Sequence, residues 1–280
     1  MSETIAIVLN FRTAHRTAKS VSSLRRAGVQ RVIIVDNSAD DGRSLAELRT
    51  LLTSAPEISV EMVSAQRNLG FGAGVNFALS NIPAESNAAI LLINSDAVLT
   101  DGALDAMHET LASGAAMTAP WLEEGSLRSP VRHHHALLAL NAWKPHIGTV
   151  PYLTGACLLI AVGVARGQLF DPDFFFYGED VELSHRLRSE GHLIVPTPHA
   201  LAIHEGSASA RRGSFFYEYN INRGHWLLAS KLHNTSAVMR ALALAARAVT
   251  LSARMLWRSI RLRSLTPLKA GILAPADILR

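Results

Sequence analysis

Ile5-Ala6-Ile7-Val8-Leu9 and Val32-Ile33-Ile34-Val35-Asp36 are the stretches on which the fold turns. Each is a short apolar run without the polar alternation of a strand that has one wet face. Between them, Ala18, Val21, Leu24 and Arg25 fall near helical spacing within residues 14–27, and Gly28 stops the pattern. The alternation continues with a helix over roughly 43–53, a strand around Ile58–Val63, a short helix over 73–80, a strand at Ala88–Ile93 and a helix at about 101–113. Doubly buried strands separated by helices predict an α/β fold with a mainly parallel sheet flanked by helices and right-handed crossovers. Ligands of such sheets sit beyond the carboxyl ends of the strands, which puts Asn10, Asp36 and Asp96 along one rim.

Farther along, residues 121–150 read as irregular, and Tyr152–Ala165 reads as a buried strand or helix segment. A helix is expected over 179–190 with Gly191 as its stop, then extended chain at Val195-Pro196, then one long helix or two over roughly 214–264.

Composition removes several classes. With 280 residues, 49% hydrophobic and 18% charged, the chain has ample material for a core and is not disordered. The single cysteine, Cys157, excludes an internal disulfide framework and a cysteine-built zinc site. No signal peptide is expected after Met1-Ser2-Glu3-Thr4. The net charge of +4 is divided unevenly: residues 219–276 hold seven Arg, two Lys and no acid, while the first 218 residues sum to −5. This division argues against a nucleic-acid partner for the whole molecule and for an anionic surface beside the tail. Arg240, Arg247, Arg254 and Arg261 recur every seven residues and predict one basic stripe on a helix. Charges interrupt every apolar window long enough to cross a bilayer, so the expected partner is an anionic membrane surface met by residues 235–264. The alternative is a helix docked on the rest of the chain with its stripe in solvent.

Five motifs carry candidate chemistry. Asp36-Asn37-Ser38 ends a strand, where a carboxylate can accept from a base or sugar or simply shape a turn. Arg67-Asn68-Leu69-Gly70-Phe71-Gly72-Ala73-Gly74-Val75-Asn76 joins a strand to a helix, either as a phosphate cradle or as a tight turn. Its glycine spacing and its place in the third connection exclude the dinucleotide fingerprint and a nicotinamide dehydrogenase. Asn94-Ser95-Asp96 sets an acid at the rim, suited to a divalent cation or to a helix cap. Phe174-Phe175-Phe176-Tyr177-Gly178-Glu179-Asp180-Val181-Glu182 puts acids behind an aromatic run, and a carboxylate held there can take a proton from a hydroxyl. His204-Glu205-Gly206-Ser207 offers an imidazole for a cation or a diphosphate, or a packed histidine. Adjacent His133, His134 and His135 do not converge on one centre and are not read as a metal site; His185 ranks second, and Arg223 and Lys231 in the final helical zone are candidates for phosphate or lipid headgroups.

In this order, with Thr154-Gly155-Ala156 and Arg186, these segments resemble the family-2, GT-A-fold glycosyltransferases, in particular the bacterial rhamnosyltransferase-like branch. The resemblance spans roughly residues 4–230. It implies a GT-A-like catalytic domain over 1–230, with a nucleotide-sugar half at about 1–120 and an acceptor half at about 121–230. Residues 231–280 follow as a basic amphipathic helical extension. It further implies that Asp36 contacts the nucleotide base in a pocket lined near Asn10. Arg67, Asn68, Gly72, Asn94 and Ser95 belong to the nucleotide-sugar site. Asp96 matches the last acid of the family's metal motif. Asn94 stands for the first acid of D-x-D, and Ser95 replaces the proline usual in this branch. His204 is the second ligand chosen for Mg²⁺ or Mn²⁺. Asp180 matches the catalytic base, with Glu179 supporting acceptor contacts.

The implied reaction is inverting, metal-dependent transfer of L-rhamnose from dTDP-L-rhamnose to a cell-surface glycan or its lipid-linked precursor. The implied location is the cytoplasm, peripheral on the inner face of the cytoplasmic membrane. Alternatives are a UDP-sugar-dependent transferase, a nucleotidyltransferase, and a catalytically inactive nucleotide-sugar or carbohydrate binding module.

Overall fold

A computed structural model of the chain describes residues 3–53, 58–83, 86–125, 127–165, 168–205 and 213–275. Gly206 and Ser207 of the histidine motif and the last five residues of the tail lie outside the described residues. The expected alternation forms: β1 (Thr4–Asn10), α1 (Ala14–Arg26), β2 (Arg31–Asp36), α2 (Arg43–Leu52), β3 (Ser59–Ser64), α3 (Phe71–Leu79) and β4 (Ala89–Asn94). These are followed by β5 (Ala97–Leu99), α4 (Ala103–Ala112), β6 (Met117–Glu124), β7 (Leu127–Ser129), β8 (Arg132–His135), β9 (Asn141–Ala142), β10 (Thr149–Tyr152) and β11 (Cys157–Ile160). Then come α5 (Glu179–Ser189), β12 (Ile194–His204), α6 (Phe215–Lys231), α7 (Ala237–Leu262) and α8 (Thr266–Leu273).

The apolar runs lack alternation because both their faces are buried. Ala6 and Val8 of β1 pack with Val21, Leu24, Leu48 and Met107 of α1, α2 and α4 on one side of the sheet. Ile5 and Ile7 pack with Val75, Ala78, Leu183 and Leu187 of α3 and α5 on the other. The main sheet runs β3-β2-β1-β4-β11-β6-β12-β5, with β7 on β6. β1 to β4 are parallel, as the sequence predicts. Beyond β4 the sheet is mixed: β11 runs antiparallel to β4 and β6, and β12 runs parallel to β6 but antiparallel to β5. The stretch expected to be irregular instead forms a small antiparallel sheet in the order β10-β8-β9. β8 alternates, so His134 is buried while His133 and His135 are only partly so, consistent with three neighbours that share no centre.

The tail departs most from expectation. α7 turns Ala243, Arg247, Leu251, Met255 and Ser259 inward. Arg247 is fully buried, donating to the Ala136 and His225 carbonyls, and Arg254 and Arg258 both pair with the fully buried Glu218 of α6. The basic stripe is therefore not the outer face of the helix; Arg247 and Arg254 fasten it to the body. Arg223 and Lys231, considered for phosphate or headgroups, are engaged within the chain: Arg223 donates to the Asp173 carbonyl, and Lys231 pairs with Asp171 and Asp173. No helix among the described residues is long and apolar enough to cross a membrane.

Glu218→Ala leaves two guanidinium groups facing each other without their shared carboxylate. It should cost about 3 kcal/mol of stability in chemical denaturation, whereas Arg263→Ala at an exposed site should stay within about 0.5 kcal/mol.

Candidate active site

Four strand ends build one side of a cleft of about 400 Å³. Strand β12 lies between β5 and β6, and its register sets His204 opposite Ala97 of β5 and one residue past the Ile203–Glu123 pair with β6. Asp96 immediately precedes Ala97, and Glu124 immediately follows Glu123. His204 is thus gripped from two sides: Nε2 lies 3.1 Å from Asp96 Oδ1, and Nδ1 lies 2.7 Å from Glu124 Oε1. Burial pulls the imidazole toward neutrality, but hydrogen bonds and charge from Asp96 and Glu124 outweigh it and raise its pKa to about 9. The bond from His204, opposed by burial and aided by Arg132 at 2.9 Å, holds Glu124 down near 2. A histidine flanked by two carboxylates donates from both nitrogens and is an imidazolium.

The opposite side of the cleft is the start of α5. Gly178, with φ +101°, ends the aromatic loop, and three acids occupy the first helical turn. Asp180 accepts from the Gly155 N–H at 3.2 Å and the Val181 N–H at 2.9 Å. Burial raises its pKa, and these two amides together with Arg132 only partly offset the rise. Burial, and then the Asp180 charge, raises Glu179, whose Oε2 is buried without a partner among the described residues. Both carboxylates line the cleft. Its inner wall comes from Tyr152, His134, Tyr177, Tyr217 and His225. His134 stacks on His225 at 5.4 Å, and burial lowers His134 to about 4.

Asn94, Ser95, Asp96 and Asn68 all line this cleft. Asp36 sits elsewhere, in a second cavity of about 320 Å³ with Asp40, Asp41, Ser64 and Gln66. Its Oδ1 accepts from Asn10 Nδ2 at 2.9 Å and from the Ser38 hydroxyl, while Thr17 donates to Asn10 Oδ1 at 2.8 Å. Asn10 is fully buried, so it orients Asp36 from behind. Arg67 is exposed and borders neither cavity.

The glycine-rich segment serves packing. A Cβ on Gly70 would stand 2.1 Å from the Phe175 carbonyl, and one on Gly72 would stand 2.8 Å from Phe170 Cβ. Gly72 lies inside α3, outside the cleft lining, where it packs against Phe170. The close approach lets the Phe71 N–H reach the Phe175 carbonyl at 2.9 Å and seats the aromatic loop over the cleft. His185 is not among the cleft residues.

Glu124, Arg132 and His225 escape the sequence reading, which weighs His134 only as one of three adjacent histidines. They lie in the stretch read as irregular, or far along a helix, where no local spacing marks them.

A sequence model described as "Glycosyltransferase like family 2" matches residues 5–229. The chain belongs to that family. Across 216 residues this glycosyltransferase is 26% identical to the N-acetylglucosaminyl-diphospho-decaprenol L-rhamnosyltransferase of Mycobacterium tuberculosis, covering 65% of this chain and 68% of the relative. Among solved structures, it is similar to the mannosyltransferase PcManGT from Pyrobaculum calidifontis in complex with GDP-Man and Mn²⁺. That match has a TM-score of 0.60 and 14% identity, and covers 99% of this chain and 87% of the other. It is also similar to S. aureus TarS 1–349 in complex with UDP-GlcNAc, with a TM-score of 0.60, 15% identity, and coverage of 98% and 80%. At these identities the structures establish the fold, which is that of the GT-A glycosyltransferases.

The His204 pKa dictates a pH dependence for the metal-free glycosyltransferase. An imidazolium favoured in the folded state stabilises it fully below pH 6.5, and that stabilisation is lost as the pH rises through about 9. Melting temperature should fall across that window, and His204→Gln should flatten the fall.

Proposed function

We propose that this glycosyltransferase performs inverting transfer of L-rhamnose from dTDP-L-rhamnose to a glycan acceptor carried on a lipid. The observation that carries the reading is the facing of two unlike electrostatic zones across one cleft: the Asp96–His204–Glu124 chain on the strand ends, and half-buried Asp180 at the head of α5. The rhamnosyl group and the lipid-linked acceptor follow the mycobacterial relative, an N-acetylglucosaminyl-diphospho-decaprenol L-rhamnosyltransferase, and the dTDP carrier follows the family resemblance of the sequence motifs.

In this reading the nucleotide base lies by Asp36 in the second cavity, and the diphosphate and sugar run past Asn68, Asn94 and Ser95. Asp180, desolvated and raised above the ordinary carboxylate range, takes the proton of the acceptor hydroxyl. The freed oxygen attacks the anomeric carbon as its bond to the diphosphate oxygen breaks, and the nucleoside diphosphate leaves with the bonding pair. Glu179 steadies the acceptor beside it. The aromatic inner wall excludes water, which would otherwise compete as acceptor.

The residues fit a divalent cation, Mg²⁺ or Mn²⁺. Asp96 would offer an oxygen donor, and His204, 3.1 Å away, a nitrogen donor once the cation displaces the Nε2 proton; Glu124 would keep the Nδ1–H on the far side of the imidazole, as a second carboxylate does at many metal sites. No group of three or more such side chains converges among the described residues, so the remaining ligands would have to come from substrate phosphates and water. When bound, the cation compensates charge on the departing diphosphate. A lipid-linked acceptor places the enzyme peripherally on the inner face of the cytoplasmic membrane, where nucleotide sugars are available.

Asp180→Asn should lower transfer about 10²–10⁴-fold while leaving donor binding by calorimetry near the parent value. The acid limb of the parent kcat/KM profile should lie above pH 3.8, because the base must be ionised and its pKa is raised from that value. Parental turnover by Asp180→Asn would remove it as the base. Binding of dTDP-L-rhamnose with no turnover of any acceptor would favour the inactive binding module, and a preference for UDP-sugars would reassign the donor. Asp96→Ala, and less severely His204→Ala, should raise the Mn²⁺ concentration needed for half-maximal turnover; unchanged titration curves would sink the cation site.

A further inference from the structure

With Arg247 and Arg254 of the arginine stripe turned inward and Arg240 and Arg261 exposed at its two ends, the outward face of α7 is left apolar. Val238, Leu242, Val249, Leu256 and Ile260 are each more than half exposed. Ala245 and Ala253, also exposed, fill the remaining turns. The spacing 238, 242, 245, 249, 253, 256, 260 steps by three and four, so these side chains form one stripe along the 26-residue helix. It lies opposite the buried row of Ala243, Arg247, Leu251, Met255 and Ser259. Leu265, Ile272 and Leu273 at α8 are exposed as well. An exposed apolar stripe of this length on a chain that buries its other apolar runs marks a contact surface.

Charge selects the occupant. The exposed ionic side chains of this region are Arg240, Arg261, Arg263 and Lys269, and the sequence holds no acid between Glu218 and Asp277. Trp257 is half exposed with the Arg261 guanidinium 5.0 Å from its ring centroid, a pair with an apolar body and a cationic tip. A second copy of the helix would meet the same positive rim and find no acidic partner for it, the reverse of what paired helices use. A bilayer with anionic headgroups satisfies both halves of the surface, acyl boundary for the stripe and phosphate for the rim.

We infer that the outer face of α7 is a membrane-docking surface. It lies in the plane of an anionic bilayer with Leu242, Val249, Leu256 and Ile260 in the acyl boundary. This deepens the proposed function, resting on its lipid-linked acceptor for its purpose but not for its evidence, and it revises the role of two of the four stripe arginines: Arg247 and Arg254 hold the enzyme together, while Arg240 and Arg261 stay at the rim.

The test is sedimentation of the full chain with phosphatidylcholine vesicles, with and without phosphatidylglycerol, in the absence of donor and acceptor. The parent should bind the anionic vesicles. Changing Leu242, Val249, Leu256 and Ile260 together to Gln should weaken partitioning about tenfold or more. Gln is a good helix former, and an unchanged melting curve would show that the fold is kept. Changing Arg240, Arg261 and Arg263 together to Gln should weaken binding at low salt, and much less at high salt, where screening already blunts it. Parent protein that ignores both vesicles, or a Gln-face variant that binds like the parent, would overturn the inference. A parent dimer that this variant converts to monomer would assign the stripe to a second copy instead. Vesicle binding is read without turnover, so failure of the rhamnosyl-transfer reading and failure of the docking surface are separate results.

Discussion

The double hydrogen bond of His204 is the contact around which the cleft is arranged. It exists because β12 enters the sheet between β5 and β6, pairing antiparallel with one and parallel with the other. That insertion draws Asp96 and Glu124, far apart in sequence, to opposite edges of one imidazole. It also links Arg132, through Glu124, to the same chain of charges. Arg132 in turn acts on Asp180 across the cleft, where it offsets part of the burial penalty. One strand insertion therefore couples the two walls electrostatically. The registers shared by β5, β12 and β6 keep the groups in place without a disulfide, since Cys157 is the chain's single cysteine and is buried.

Asp180 illustrates a competition whose winner decides chemistry. The head of α5 supplies amide N–H groups and a favourable dipole, which on their own favour an ionised carboxylate. Desolvation opposes them and is the larger effect. Its neighbour Glu179 is more buried, and against that burial and the Asp180 charge it has only a hydrogen bond from its own backbone N–H, while its Oε2 has no partner among the described residues. Two adjacent acids thus acquire different surroundings from a single helical turn. The aromatic loop that buries them is held down by glycines: Gly70 admits the Phe175 carbonyl, and Gly224 of α6 admits the Tyr177 carbonyl at a distance no Cβ tolerates.

The tail shows how one acid redirects a helix. Glu218 is fully buried, and a lone buried carboxylate is costly unless cations come to it. Arg254 and Arg258 do so, four residues apart on α7, and fix which side of the helix faces the body. Arg247 follows two turns earlier on the same side, its terminal nitrogens donating to carbonyls of β8's flank and α6 while its Nε has no partner among the described residues. Burial without a carboxylate lowers even this guanidinium to about 10. The aliphatic stripe is left facing outward as the geometric remainder.

Sequence alone was enough for the parallel half of the sheet, because doubly buried strands must lack polar alternation and β1, β2 and β4 do. It was enough also for the rim acids, since Asp36 and Asp96 directly follow such runs, and for Asp180 at a helix start after an aromatic loop. Those signals are local, carried by periodicity and by adjacency to a strand or helix end. The mixed half of the sheet was not legible, because β11 and β12 acquire their directions from partners rather than from their own residues. Glu124 and Arg132 stayed hidden for the same reason: each becomes part of the site through a cross-strand register. The contact of Gly72 with Phe170, nearly a hundred positions away, is likewise invisible to glycine spacing. The arginine heptad was correctly read as one face of a helix, but spacing cannot say which way a face points. That was decided by Glu218 on another helix, a contact between residues far apart in sequence that only the folded chain brings together.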